Sequence, residues 1–121
     1  MRRLDIYQNK RYLCWDDGEP FWYMGDTAWE LFHRLKREEV QEYLDVRQEQ
    51  GFNVIQAVAL GEFEGLTVAN AYGRLPFILD PEGKPVVRPD DTGESYWKHA
   101  DWCIQEMGKR QMFVGLLPTW G

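Results

Sequence analysis

The chain has 121 residues, enough for one modest domain with a real core and too few for two. With 44% hydrophobic and 28% charged residues it reads as globular, and a formal charge of −6 argues against a nucleic-acid or anionic-membrane partner, because phosphate binding needs concentrated Lys and Arg. No apolar run approaches the roughly 18 residues of a membrane span, and the opening MRRLDIYQNKRYL has no apolar stretch of the signal-peptide kind, so a cytoplasmic location is expected.

In chain order, residues 4–7 and 11–15 predict two short strands turning at Asn9-Lys10, followed by an Asp16-Asp17-Gly18 turn. Pro20 suits the first residue of a strand, and the apolar run 21–24 predicts one buried on both faces. A helix is expected over about 36–50, with Val40, Tyr43 and Leu44 on one face and Gly51 as its terminator. FNVIQAVAL, rich in β-branched residues, predicts a second buried strand over 52–60. A second helix is expected over about 95–110, capped by Ser95, with a stripe of Tyr96, Ala100, Cys103, Ile104 and Met107. MFVGLLP, 112–118, predicts the third buried strand. Strands alternating with amphipathic helices imply parallel pairing with right-handed crossovers. Between the second strand and the second helix, residues 61–93 predict a long loop with four prolines, leaving the strand end where parallel folds keep their sites.

The polar residues follow from that placement. Asp26 is expected just past the first strand, with Trp29 and Glu30 behind it; Gln56 lies inside the second; Glu62 and Glu64 lie past its end; Thr119 and Trp120 follow the third. Each has a plainer reading. Asp26 can cap the turn at Thr27 and Ala28, Gln56 can be a satisfied buried amide, the two glutamates can be solvated, and His33 can simply pack beside the first helix. Convergence of three strand ends on one edge favours a site. Six each of Trp, Tyr and Phe fit a partly wet surface on which a sugar stacks and hydrogen-bonds. Cys14 and Cys103 lie outside any paired motif, and with the isolated His33 and His99 they predict reduced, half-buried thiols and no metal site or other cofactor.

DGEPFWYMGDTAWELFHRL, EEVQEYLDVRQEQGFNVIQAV, NAYG and the final GLLPTWG resemble, in order and over essentially the whole chain, the apiosidase-like glycoside hydrolases, a family also labelled collagen-binding or collagenase-associated. The resemblance implies a (β/α)8 TIM barrel of the large retaining glycosidase clan, with a small β-hairpin covering its base. Residues 1–19 would be that hairpin and residues 20–121 strands one to three with helices one and two, about three βα units of an α/β fold. In that clan the acid/base follows strand four and the nucleophile strand seven. The chain would then be an N-terminal fragment without either carboxylate, the rest of the barrel lying C-terminal to Gly121, since a full barrel takes about 250 residues. Asp26, Trp29, Gln56, Glu62, Asn70, Tyr72 and Trp120 carry over as substrate-side residues for a plant-type glycoside, apiose-containing ones among them. Two positions depart from the pattern. Lys36 stands where a Thr-type cap is usual, and Gln111 where a Gly often ends the second helix. The alternative function is a non-catalytic carbohydrate- or protein-binding module.

Overall fold

The computed structural model describes residues 2–120. Strands β1 (Leu4–Ile6) and β2 (Leu13–Trp15) pair antiparallel as a small hairpin, extended by an isolated bridge from Cys14 to Pro20. Strands β3 (Gly25–Thr27), β4 (Val54–Leu60) and β7 (Phe113–Thr119) form a parallel sheet in the order β3-β4-β7. Helices α1 (Leu31–Arg34) and α2 (Arg37–Glu49) connect β3 to β4, and α3 (Tyr96–Lys109) precedes β7. A second hairpin, β5 (Phe77–Leu79) and β6 (Pro85–Pro89), occupies the segment between β4 and α3.

Side-chain alternation gives the sheet two different faces. On one, Ile55 and Ala57 pack with Val40 and Leu44 of α2 and Tyr96, Ala100, Cys103 and Met107 of α3, all buried. On the other, Val54 stands beside Phe113, whose ring meets Trp15 and Phe21 at 5.9 and 5.6 Å. The hairpin therefore sits against the N-terminal end of the sheet. Leu116 lies opposite Ala57, on the helix side of the outer strand, and is half exposed.

The first strand starts about four residues later than the apolar run suggests. Trp22 is 81% exposed and Tyr23 and Met24 are half exposed, so FWYM is not a strand buried on both faces. Asn53 explains the offset. Its amide donates to the Trp22 carbonyl at 2.6 Å and accepts from the Met24 N–H at 2.8 Å, holding the run as a ribbon that enters the sheet only at Gly25. The second strand correspondingly starts at Val54, because Asn53 serves as this clamp.

The helix ends behave as their chemistry requires. Ser95 Oγ accepts from the Lys98 N–H at 3.2 Å, capping α3. Lys36 has no side-chain acceptor to offer, and the Tyr72 hydroxyl instead accepts from the Arg37 N–H at 2.8 Å, while Glu39 accepts from the Lys36 N–H. Gly51 and Gln111 follow their helices in left-handed conformation, at φ of 87° and 59°. The segment 61–93 is not structureless. Asp80 Oδ1 accepts from the N–H groups of Glu82 and Lys84, and Gly83 takes φ 78°, which closes the β5–β6 hairpin. Both cysteines are free and fully buried, not half-buried, and burial pushes the Cys103 thiol up to about 12. No helix among the described residues is long and apolar enough to cross a membrane.

Candidate functional site

The C-terminal ends of β3 and β4 open into a cleft of about 480 Å³ lined by Glu30, His33, Arg34, Phe63, Val68 and Asn70 among others. Helix α1 supplies one wall because the chain turns directly out of β3 into Leu31–Arg34, burying Leu31 and Phe32 in the core and leaving Glu30 and His33 at the sheet edge. The loop after β4 supplies the other. Asn70 is 5% exposed; its Oδ1 accepts from the N–H groups of Tyr72 and Arg74 at 3.0 Å, and the Ala71 N–H donates to the His33 carbonyl. These bonds tie the loop to α1 across the cleft.

Among the described residues three buried side-chain atoms have no hydrogen-bond partner: His33 Nδ1 and Asn70 Nδ2 in this cleft, and His99 Nδ1 on α3. Leaving such a group unpaired costs about 1–3 kcal/mol, and most buried polar groups are paired. Burial lowers the His33 imidazole below its ordinary value, with Glu30 opposing, which favours a neutral ring with one donor and one acceptor. Glu30 forms an ion pair with Arg34 one helical turn on. The cleft thus presents a carboxylate, an imidazole and a carboxamide together, a set that can hydrogen-bond adjacent hydroxyls.

The anticipated residues divide between the two sides of the sheet. Trp29 and Trp120 meet edge-to-face at 5.3 Å at the strand ends, and the Trp29 carbonyl accepts from the Val58 N–H. Glu62 is half-buried just past β4. Gln56 lies on the face away from the helices, where its Nε2 donates to the Tyr23 hydroxyl at 3.1 Å and its Oε1 accepts from Thr27 Oγ1 at 3.3 Å. Asp26 does not join them. It pairs in register with Ile55, on the helix side, and its Oδ2 accepts from the Tyr43 hydroxyl at 2.7 Å and from Arg47 Nε. Those two partners, Tyr43 first, hold the Asp26 carboxyl below the ordinary carboxylate value. Tyr43 itself is pushed up to about 12, by burial first and then by Asp26. Tyr72 lies at the start of α2, beside the His99 ring at 5.1 Å.

Of the expected substrate contacts only Asn70 lines this cleft; Glu30, His33, Arg34, Phe63 and Val68 were not among them. Glu30 and His33 carried a signal: they sit i, i+3 directly after a strand end, where a single helical turn places both on one side.

The model of the apiosidase-like catalytic domain family matches residues 7–121. The chain belongs to that family. Among solved structures, a glycoside hydrolase family 5 protein from Bacteroides vulgatus ATCC 8482 superposes with a TM-score of 0.78 at 30% identity, over 95% of this chain and 24% of its own. A second glycoside hydrolase gives 0.76 at 28% identity, over 95% of this chain and 25% of its own. The apiosidase-like chain therefore spans about a quarter of the length of the solved structures it matches. No curated protein matches it.

Proposed function

We propose that the chain is the N-terminal part of a retaining glycoside hydrolase barrel acting on plant-type glycosides, apiose-containing ones among them. It contributes substrate-pocket residues, and the general acid/base and the nucleophile belong to later strands. The observation that carries this reading is the cleft of Glu30, His33 and Asn70 at the C-terminal edge of a parallel sheet, in a family of catalytic domains. In parallel α/β barrels that edge is where substrates bind.

Hydrolysis with retention needs two carboxyl groups about 5–5.5 Å apart, one able to give and take a proton and one free to attack the anomeric carbon. Engagement of Asp26 by Tyr43 and Arg47, behind the sheet, argues against it as either member. Glu30 is held beside the Arg34 guanidinium at the mouth of the cleft, where its carboxylate oxygens can accept hydrogen bonds from sugar hydroxyls. Trp29 and Trp120 are assigned to the rim on which a sugar face lies, Glu62 and Asn70 to hydroxyl contacts, and Gln56 to the polar interior beneath them. Asp26 and Tyr72 hold the scaffold.

The test is turnover of aryl glycosides, an aryl apioside included, by the purified chain and by the chain extended through five further βα units of a family barrel. Turnover is expected from the extended protein alone. Hydrolysis by the 121-residue chain, abolished by Asp26→Asn or Glu62→Gln, would refute the assignment and make those two residues the catalytic pair.

A further inference from the structure

Immediately after β4 the backbone takes a conformation that its residues resist. Phe63 and Glu64 are consecutive non-glycine residues with φ of 55° and 68°. A left-handed backbone is uncommon for any L-residue with a side chain and is an outlier for a bulky one. The turn is enforced from both ends. A Cβ on Gly65 would collide with the carbonyl of Gly61, so the chain doubles back on itself there, and the Glu64 carbonyl accepts from the N–H groups of Thr67 and Val68 at 2.9 and 2.8 Å. Two strained residues in a row, locked by surrounding bonds, are the kind of outlier from which a functional role is properly argued.

What the turn accomplishes is to hold Phe63 out of the core. The ring is 77% exposed, although the core lies within a few residues of it, and it lines the cleft that contains Glu30, His33 and Asn70. An exposed phenyl ring costs hydration, and a strained backbone that keeps it exposed costs more; glycine would relieve both. The cleft supplies the complement: a carboxylate, and two buried nitrogens with no partner among the described residues, beside a flat apolar face. A polyhydroxylated ring offers both surfaces at once, C–H groups on one face and hydroxyls around its rim.

We infer that Phe63 is a stacking platform for one glycosyl ring of the substrate, whose hydroxyls are bound by Glu30, His33 and Asn70. This inference rests on the glycoside-hydrolase reading above and adds a specificity-determining residue to it. The contact is apolar and fixes which sugar face turns toward β4.

Saturation-transfer NMR on the chain with methyl β-D-glucopyranoside, methyl β-D-xylopyranoside, methyl α-L-rhamnopyranoside and methyl β-D-apiofuranoside reads the contact directly. At least one glycoside is expected to bind. Phe63→Trp should bind comparably, and Phe63→Gly should bind about tenfold more weakly, the effect of losing one stacked aromatic contact. The Phe63→Gly chain should also unfold at a higher temperature than the parent, because glycine relieves the positive φ; a ring with a purely structural role would lower it. If a glycoside binds and Glu30→Gln weakens it while Phe63→Gly does not, the inference falls and the glycoside-binding reading stands. If none of the four glycosides binds the parent chain, both fall.

Discussion

Glu106 is the most consequential charge away from the cleft. It is 3% exposed on α3, and its carboxylate accepts from Lys109, from Arg110 Nη1 at 2.9 Å and from Gln41 Nε2 at 3.3 Å. Lys109 first and Arg110 second hold its pKa at about 2, against an ordinary 4.5. At 1.36 kcal/mol per pH unit that difference is worth about 3 kcal/mol at neutral pH, an upper value because Gln in the same place still accepts one bond. The sign follows from the depressed value. The stabilisation is present in full above the ordinary value of 4.5 and is lost as the pH falls through about 2, below which the carboxyl is protonated in the folded and unfolded chain alike. Glu106→Gln should therefore lower the unfolding free energy by about 2–3 kcal/mol at pH 7, and the two proteins should converge near pH 2. Urea unfolding followed by tryptophan fluorescence measures this, at one protein concentration so that association does not enter the comparison. A difference below about 0.5 kcal/mol at pH 7, or one unchanged at pH 2.5, would refute the reasoning.

Three further outcomes follow from particular residues. Gln111→Gly should raise stability by about 1 kcal/mol, since Gln111 holds φ 59° at the end of α3 on an exposed surface; a loss of stability in the same urea assay would contradict it. Tyr72→Phe should lower stability by about 1 kcal/mol by orphaning the Arg37 N–H, and adding Lys36→Thr should restore most of it; no recovery would mean that the hydroxyl does not cap α2. The outer strands β3 and β7 each leave one edge unpaired in the sheet, and MFVGLLP carries no charge to discourage pairing. Sedimentation velocity should show the chain self-associating as its concentration rises, and Leu116→Lys, at a half-exposed position of β7, should shift it toward monomer; a concentration-independent monomer would refute this.

Much of the architecture was legible because helices and long strands announce themselves by period. Both long helices, the strand centred on Ala57 and the last strand lie within about two residues of their expected limits. The first strand did not, and the error was physical. Apolarity was taken as the mark of the strand, whereas the side chain of Asn53 fixes where pairing begins. The later start puts Asp26 inside the strand, opposite Ile55 where the sheet meets α2, and there its carboxylate bonds Tyr43 and Arg47. Tyr72 was unreadable for a related reason. Its hydroxyl compensates a missing cap 35 residues earlier, a tertiary contact that no local pattern encodes.

The residues expected to be idle prove more informative than several expected to act. His33 reads from sequence as a packing residue, and it does pack, 8% exposed and 6.3 Å from the Tyr96 ring. Yet its Nδ1 is unsatisfied, as is Asn70 Nδ2, and both residues line the cleft into which the strained Phe63–Glu64 turn presents an aromatic ring. Elsewhere several such demands are met: Ser95 caps α3, Glu106 has three partners, and Tyr96 donates its buried hydroxyl to the Ala59 carbonyl at 2.7 Å, while His99 Nδ1 is the one further orphaned buried side-chain atom among the described residues. Unpaired buried nitrogens and left-handed non-glycine residues each cost about 1–3 kcal/mol, against a typical total stability of 5–15 kcal/mol. A sequence shaped by folding alone would disperse such costs or remove them, with glycine at position 63 and an apolar side chain at position 33. Lys10 and Gln111 are also left-handed, but among the described residues only this edge of the parallel sheet combines two orphaned nitrogens with two consecutive left-handed residues, the arrangement that the proposed sugar pocket would use, since a bound hydroxyl can supply the missing partners.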